Sequence, residues 1–482
     1  MKVNIGRRGI SMAKLAQICG GMLCHIGGES DADVQFESIC TDSRESAAGA
    51  LFIALGGERV DGHDYIDAAL SAGGGCVLCE RIPEEISDRR CAAVIVEDSI
   101  KAVGELAKAY DRSINHKKIA ITGSVGKTTT KEFVAAVMAE KFRVHKTEGN
   151  YNSNIGLPLS ILSMKDDTEV SVLEMGMSGL GEIDYLSRLA EPDVAVITNI
   201  GSSHIGHLGS RENICRAKLE IVNGLKPGGT LVLSGDEPML SDYKKDGINV
   251  LRVALRNENA EYRATNIRIC DDHTEFDVVT PVCTVNDVKI PVLGEHNVMA
   301  ALFAFVVGQN SGLDIESILR GLRSFRQVGM RQNIYNVGSV KVIEDCYNAS
   351  PESMRAALTV ESSIVKNTEG ARMVALLGDM YELGEESGRL HEQVGADYAN
   401  VGGELLFTFG EAAEGIATGA ILHGADPEKI FRNSDIKNPE LSGEMLLHYL
   451  RAGDVLLVKA SRGAAAERVI EYLKKNMDRI RE

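Results

Sequence analysis

The chain has 482 residues and a formal net charge of −17, with 52 lysines and arginines against 69 aspartates and glutamates. This acidic balance disfavours a polyanion-binding surface, so no nucleic-acid partner is expected. The length exceeds one ordinary hydrophobic core and predicts about three domains. The longest apolar run, 298–307, covers about half of a membrane span, which favours a core helix and predicts no membrane span.

Ten cysteines are scattered along the chain, which indicates reduced thiols in a cytoplasmic protein. Cys76 and Cys79 have the C-x-x-C spacing, but they lie in an apolar run that we interpret as a core strand with buried thiols. No long apolar stretch follows Arg7 and Arg8, so no signal peptide is predicted.

The first segment, 1–116, has a mixed pattern with a weak helix over Met12–Cys19 and many turn residues. Ser43 and Arg44 precede an apolar strand, 51–55, where a guanidinium and nearby hydrogen-bonding groups would suit a phosphorylated, sugar-bearing ligand. A surface turn with a solvated arginine explains these two residues equally well.

The stretch 119–130 predicts a buried strand, a glycine-punctuated turn and the start of a helix. A strand, a glycine turn and a helix in this order form a phosphate-binding loop, because glycine lets the backbone approach a phosphate. Lys127 can then reach a terminal phosphate, and Thr128 can hold Mg²⁺. The general pattern G-x-x-x-x-G-K-[ST] would require glycine at Ile121, so the loop here is the shorter Gly123-x-x-Gly126-Lys127-Thr128. The sequence therefore predicts an ATP site.

From about residue 117 strands alternate with helices, which predicts a parallel sheet with a ligand at the carboxyl ends of its strands. The strands are expected at 117–122, 169–174, 193–199 and 230–234. Glu174 ends one strand and is a candidate Mg²⁺ ligand, because hard oxygen donors suit that ion. His204 and Lys218 follow the next strand, although single residues of these types are more often solvated or packed.

Two further stretches complete this central segment. Asn150 and Asn152 belong to a dense cluster of side-chain amides. These amides would either bind a peptide or sugar through hydrogen bonds, or hydrogen-bond to the backbone of their own loop. The alternation over 250–292 predicts antiparallel strands at a sheet edge, and the polar run 312–323 leads out of the domain.

Alternation resumes over 324–482, where strands at 341–343, 373–377 and 455–458 are each followed by polar residues. This pattern predicts a second doubly wound domain with its own binding edge, which includes Asp345, Asn348 and Ser461. It has no phosphate loop and is expected to close over the first site.

Together these stretches resemble the Mur ligase family of ATP-dependent, amide-forming enzymes. The resemblance covers nearly the whole chain and lies in short motifs in the family's order: 122–129, Glu174, 199–204, 217–220, His296-Asn297, Arg331 and Asp345. It implies an α/β fold of three domains: a mixed α/β domain over 1–116, a central P-loop ATPase domain with a parallel sheet over 117–323, and a Rossmann-like domain over 324–482.

Other motifs resemble the branch of the family that adds D-alanyl-D-alanine to UDP-N-acetylmuramoyl-tripeptide in peptidoglycan precursor synthesis. They include Asp42-Ser43-Arg44, Tyr347-Asn348-Ala349-x-Pro351 and Gly378-Asp379-Met380-x-Glu382-Leu383-Gly384. The implied reaction proceeds through an acyl phosphate that domain closure would shield from water. A monomer that uses ATP and Mg²⁺ and takes these two small-molecule substrates is expected.

The resemblance also implies roles for individual residues. Lys127, Glu174, His204 and Lys218 would be catalytic; Thr128 and Glu174 would hold one Mg²⁺, and His204 a second together with a CO₂-derived carbamate on Lys218. The expected nucleotide contacts are Gly123, Ser124, Val125, Gly126, Lys127, Thr128, Thr129, Asn297, Arg331 and Asp345. The expected substrate contacts are Ser43, Arg44, Asn150, Asn152, Asn348 and Ser461.

Three alternatives stay open on these residues. Another ligase of the superfamily, adding the third peptide residue or glutamate to folate, would share the ATP site but not the segment around Tyr347 or the N-terminal segment. A P-loop ATPase coupled to a partner would hydrolyse ATP without an amine acceptor. A pure binding module would leave the candidate metal ligands unexplained.

Overall fold

The computed structural model describes residues 2–5, 9–26, 34–57, 60–83, 86 and 91–479. Arg7 and Arg8 lie outside these residues. The fold is α/β, as predicted, with three large sheets in separate parts of the chain and a small ribbon of two strands. Among the helices in the described ranges, none combines the length and apolarity that crossing a membrane requires.

The first sheet has the order β1-β5-β6-β7-β8-β3 and is mixed, because β1 and β3 run antiparallel to their neighbours. The predicted helix over Met12–Cys19 is confirmed: Ser11 caps it by accepting from Lys14 N, and left-handed Gly20 ends it. All of β7 is buried with free thiols. The elements of this region are β1 (Lys2–Asn4), β2 (Ile10–Ser11), α1 (Met12–Cys19), β3 (Met22–Ile26), β4 (Gln35–Phe36), β5 (Ser38–Cys40), β6 (Ala50–Ile53), α2 (Ile66–Ser71), β7 (Cys76–Cys79), β8 (Cys91–Ile95) and α3 (Ser99–Ser113).

The second sheet has the order β10-β11-β9-β12-β13-β14-β15-β16-β17 and is parallel from β10 to β15. Its strands are β9 (Lys117–Thr122), β10 (Val144–Lys146), β11 (Val170–Glu174), β12 (Val194–Ile197), β13 (Thr230–Ser234), β14 (Asn249–Ala254), β15 (Tyr262–Ile269), β16 (Thr274–Val279) and β17 (Thr284–Ile290). Its helices are α4 (Lys127–Ala139), α5 (Gly156–Leu162), α6 (Glu182–Ala190), α7 (Ile205–Leu208), α8 (Arg211–Leu219), α9 (Pro238–Ser241), α10 (Glu295–Asn310) and α11 (Ile315–Ser324).

One detail of this region differs from the sequence prediction, and a second was not addressed by it. The strands over 249–292 are antiparallel only from β15 to β17, whereas β14 and β15 continue the parallel sheet. The polar run 312–323 contains helix α11, which Asp314 caps by accepting from Ser317 N at 2.8 Å. Ile318 and Leu322 form a buried stripe on this helix, so its polarity belongs to the solvent face.

The apolar run 298–307 lies within α10, where it is almost entirely buried and packs against α4, as a core helix should. Phe325, just after α11, stacks on Phe133 of α4 with ring centroids 3.7 Å apart. These contacts fix the helix that follows the glycine loop against the centre of the sheet.

The third sheet has the order β18-β19-β23-β20-β21-β22 and is parallel except at β18. Its elements are β18 (Asn333–Val337), β19 (Val340–Asp345), α12 (Pro351–Lys366), β20 (Met373–Gly378), α13 (Ser387–Asn400), β21 (Leu405–Phe409), α14 (Glu414–Leu422), β22 (Ile430–Asn433), α15 (Pro439–Tyr449), β23 (Val455–Lys459) and α16 (Glu467–Lys475). The carboxyl ends of β19 and β23 carry the polar residues that the sequence singled out.

Candidate active site

A cavity of about 470 Å³ lies where the carboxyl ends of β9, β11 and β12 meet the start of the third sheet. This volume is within the range of small-molecule sites, about 300–1,000 Å³. Most of the predicted site residues line it: Ser124, Val125, Gly126, Lys127, Thr128, Thr129, Asn150, Asn152, Glu174, His204, Asn297, Arg331, Asp345 and Asn348. The structure therefore brings together residues that are more than 200 positions apart.

The glycine loop requires its glycines. Gly126 has a φ of 82° and forms the N-cap of α4. Gly123 has a φ of 148°, and a Cβ there would lie 1.9 Å from Thr198 Oγ1. The loop therefore approaches the end of β12 more closely than any side chain would allow.

The segment after β12 holds the loop in place. Asn199 Oδ1 accepts from Val125 N at 3.0 Å, and Thr198 Oγ1 donates to Val125 O at 2.6 Å. Gly201 N donates to Ser124 Oγ at 2.8 Å. Lys127 Nζ folds back onto the loop and donates to Gly123 O at 2.7 Å. Burial lowers the pKa of Lys127, although Glu174 acts in the opposite direction.

Glu174, at the end of β11, is 2% exposed, and its two carboxylate oxygens differ in their hydrogen bonding. Its Oε1 accepts from Asn152 Nδ2 at 2.8 Å. Its Oε2 has no hydrogen-bond partner in the described part of the chain, and Lys131 Nζ lies 4.0 Å away. A buried carboxylate oxygen that makes no hydrogen bond and lies in the same cavity as Thr128 is suited to a cation.

His204 lines the same cavity as Glu174, and Lys218 lies close enough to His204 to influence its pKa. Burial lowers the pKa of His204 against the opposing effect of Glu382, which favours a neutral imidazole. Lys218 is 1% exposed, and burial lowers its pKa well below the ordinary value, with a smaller contribution from Lys127.

The opposite wall of the cavity comes from the start of the third sheet. The Arg331 guanidinium stacks on the Tyr347 ring, with Cζ 3.8 Å from the ring centroid. The neighbouring Gln332 binds the start of α10: its Oε1 accepts from His296 Nε2 at 2.8 Å and from Asn297 Nδ2 at 3.0 Å. These contacts place a cation opposite the glycine loop.

Comparison with known proteins assigns this architecture. The family model for the Mur ligase middle domain matches residues 121–308, the model for the glutamate ligase domain matches 330–462, and the model for the Mur ligase catalytic domain matches 35–111. A Bacillus subtilis protein named UDP-N-acetylmuramoyl-tripeptide–D-alanyl-D-alanine ligase is 40% identical over 442 residues, which cover 90% of this chain and 92% of that protein. The chain belongs to the Mur ligase family.

Solved structures agree with this membership. The MurF structure from Acinetobacter baumannii superposes on this Mur ligase with a TM-score of 0.87 at 28% identity, covering 98% of this chain and 100% of that one. The MurF ligase of Thermotoga maritima, solved in complex with ADP, gives a TM-score of 0.79 at 31% identity, covering 91% and 97% of the two chains. The predicted three-domain Mur ligase fold is confirmed.

Some predicted residues of this Mur ligase lie away from the cavity. Arg44 is 86% exposed and donates two hydrogen bonds to Asp42, at 2.9 and 2.6 Å. Ser461 is 2% exposed, and its Oγ accepts from Tyr381 N at 3.0 Å. Ser43, Gly123 and Lys218 are also not among the residues that line the cavity. Their roles stay predictions.

The structure adds residues to the cavity that the sequence prediction did not select. Lys459 pairs with Asp345 at 2.6 Å, and Glu352 accepts from Ser202 N at 2.8 Å. Lys131, next to the cavity, is 1% exposed and donates to Thr147 O at 2.6 Å. Lys459 could have been selected from the sequence, because it ends a strand whose polar carboxyl end was already predicted to bind a ligand. Glu352 and Lys131 could not, because their positions depend on partners that are distant in sequence.

Proposed function

We propose that this Mur ligase uses ATP to join D-alanyl-D-alanine to UDP-N-acetylmuramoyl-tripeptide in the synthesis of peptidoglycan precursors. The observation that carries the proposal is the shared cavity, in which a phosphate-binding loop faces Arg331, Asp345 and Asn348. The names of the similar ligases support this choice of substrates. The site offers charge and orientation, which suits a ligation through an activated carboxylate.

We place the nucleotide on the glycine loop, where Lys127 would leave the Gly123 carbonyl and turn to the terminal phosphate. Asn297, Arg331 and Asp345 would contact the nucleotide from the other wall, and the ADP complex of the Thermotoga maritima enzyme supports a nucleotide site in this fold. The terminal carboxylate of the tripeptide would attack the γ-phosphorus, releasing ADP and leaving an acyl phosphate. The amine of D-alanyl-D-alanine would then attack the acyl carbon and displace phosphate.

The residues at the loop fit Mg²⁺, because the free Oε2 of Glu174 and the Thr128 hydroxyl are hard oxygen donors at the cavity wall. We propose that these two residues hold one ion, and that His204 holds a second. When bound, Mg²⁺ would neutralise charge on the transferring phosphoryl group. Lys127 adds a further positive charge there, and Asn152 fixes the rotamer of Glu174.

Lys218 fits a CO₂-derived carbamate, because its buried amine has a strongly lowered pKa and reacts with CO₂ as the neutral form. The carbamate would be an anion beside His204, whereas an ammonium would repel a metal ion.

We further propose domain boundaries at 116/117 and 323/324, which the ranges of the three family models support. Ser43 and Arg44 would hold the uridine diphosphate end, Asn150 and Asn152 the peptide, and Asn348 and Ser461 the incoming dipeptide. Ten free cysteines support a cytoplasmic location. We also propose that the enzyme is a monomer.

The test is phosphate release with UDP-N-acetylmuramoyl-tripeptide fixed and the amine varied among none, D-alanyl-D-alanine, a diamino acid and glutamate. We expect release only with D-alanyl-D-alanine, together with a product heavier by the dipeptide less water. Lys127→Met should abolish ligation, whereas exposed Lys165→Met should not. Phosphate release that is indifferent to the amine would contradict the proposal and favour a coupled ATPase.

A further inference from the structure

The motif Gly378-Asp379-Met380-Tyr381-Glu382-Leu383-Gly384 follows β20 and contacts the central domain, and none of the roles proposed above includes it. Its Glu382 carboxylate lies in close contact with Nδ1 of His204. Glu382 O also accepts from Gly206 N at 2.9 Å. The motif therefore reaches across to the segment that carries a proposed metal ligand.

The backbone at this contact is built for close approach. A Cβ at Gly206 would lie 2.6 Å from Gly384 N, and a Cβ at Gly384 would lie 2.7 Å from Gly206 Cα. His204 and Glu382 both have left-handed backbones, with φ of 65° and 63°. Two non-glycine residues in this sparsely populated region face each other, which indicates that the surrounding contacts determine their conformations.

A second carboxylate supports the same segment. Glu352, in the first turn of α12, accepts from Ser202 N at 2.8 Å and from Ser202 Oγ at 2.9 Å. The C-terminal domain thus contacts the segment 199–208 on both sides of His204. Nδ1 of His204 lies against the Glu382 carboxylate, although the two do not form a hydrogen bond as the side chains stand. Nε2 makes no hydrogen bond with the residues that the structure describes, and His204 lines the cavity.

We propose that Glu382 is a positioning residue that fixes the His204 imidazole, with Nδ1–H on the carboxylate and the lone pair of Nε2 available to a divalent cation. This inference rests on the proposed role of His204. It assigns the motif 378–384 a function: the C-terminal domain must be docked for the second metal position to be complete. Carboxylates that orient metal-binding histidines in this way commonly change metal affinity by about 10–100-fold when removed.

The experiment measures Mn²⁺ binding to the full-length protein by electron paramagnetic resonance of the free ion, with a non-hydrolysable ATP analogue present. The variants are Glu382→Ala, Glu382→Gln and Glu385→Ala. Glu385 is the matched control, because it is an exposed glutamate in the same loop. Thermal melting curves of all variants report whether folding is retained.

We expect Glu382→Ala to weaken the second Mn²⁺ by at least about tenfold, with Glu385→Ala unchanged. Glu382→Gln should recover most of the affinity, because its amide oxygen accepts the same Nδ1–H. The ligation rate of Glu382→Ala should rise again at high Mg²⁺. Equal Mn²⁺ affinities of Glu382→Ala and Glu385→Ala would overturn the proposal, as would a loss that Gln does not recover.

A His204→Ala variant separates this inference from the proposed function. If His204→Ala binds Mn²⁺ as the wild type does, His204 is not a metal ligand. The positioning role of Glu382 is then also wrong, because it depends on His204 binding the metal. If it loses the second Mn²⁺ while Glu382→Ala does not, only the positioning role is wrong.

Discussion

Lys459 and Asp345 are register partners on the adjacent parallel strands β23 and β19, and their side chains form an ion pair of 2.6 Å at the edge of the cavity. The lysine side chain is 2% exposed and the aspartate side chain 16%. Lys459 Nζ also donates to Asn348 O at 3.0 Å. One strand-end cation therefore positions both a proposed nucleotide contact and the loop that carries a proposed dipeptide contact.

Removing the positive charge of Lys459 should lower the free energy of unfolding. Lys459→Met leaves the Asp345 carboxylate without its partner, and breaking a buried pair in this way costs about 3–5 kcal/mol. We expect the unfolding free energy in urea to fall by about 3 kcal/mol. The double variant Lys459→Met/Asp345→Asn should recover part of the loss, whereas exposed Lys475→Met should change little. Full additivity of the two single changes would contradict the coupling.

Asn152 should affect metal use without contacting the phosphates. Asn152→Ala removes the hydrogen bond to Glu174 Oε1, so the carboxylate loses its fixed orientation. We expect the Mg²⁺ concentration for half-maximal ligation to rise by about tenfold. The control is Asn249→Ala, which removes an amide that donates to Gly228 O far from the cavity. An unchanged Mg²⁺ requirement would show that Asn152 does not orient Glu174.

The glycine loop offers a steric test. Gly123→Ala places a Cβ 1.9 Å from Thr198 Oγ1 and forces a φ of 148° on a residue with a side chain. We expect ADP affinity, measured by calorimetry, to fall by at least about 100-fold, because strain of about 3 kcal/mol must be relieved by moving the loop. Gly388→Ala is the control: the Cβ meets open space within α13, so stability should rise by about 0.5–1 kcal/mol. Wild-type affinity in Gly123→Ala would contradict this account.

Glu361 on α12 should make stability depend on pH. It is fully buried, and burial raises its pKa well above the ordinary value, although the backbone N–H groups of Leu457 and Val374 oppose this. Above pH of about 4.3 the unfolded carboxyl ionises while the folded one stays protonated, so the unfolding free energy falls by about 1.4 kcal/mol per pH unit.

Glu361→Gln removes this dependence, since its amide does not titrate. Its stability relative to the wild type should therefore increase as the pH rises above about 4.3, with a slope of at most about 1.4 kcal/mol per pH unit, until the folded carboxyl itself ionises. Hydrogen exchange of amides in β20 and β23, compared between the two proteins at each pH, measures the difference. A difference that stays constant with pH would show that Glu361 does not titrate on unfolding.

The sequence was sufficient where a site is contiguous or lies at a strand end. Gly123 to Thr128 form one local motif, and Glu174 and Asp345 each end a strand at the carboxyl edge of its own sheet. Pairings between distant elements were not predictable in this way. The contact of Glu382 with His204 depends on how two domains dock, and the burial of Ser461 depends on the loop after β20.

The same distinction explains the errors in the fold. Strands β14 and β15 pair in parallel although the alternation between polar and apolar residues suggested antiparallel strands, because alternation reports exposure of one face and not strand direction. Helix α11 was not assigned from the sequence because three charged residues are interleaved with its four apolar ones, and only the narrow stripe of Ile318 and Leu322 is buried.

The segment from Phe325 to Gln332 joins α11 to β18 and is fastened at both ends to the central domain, by the stacking on Phe133 and by the amide of Gln332. This segment therefore holds the glycine-loop wall of the cavity close to the wall that carries Arg331, without any bound ligand. A nucleotide bound as proposed, between the glycine loop and Arg331, would add a second connection between these walls. Release of that nucleotide would leave the segment 325–332 as the covalent link that holds them together.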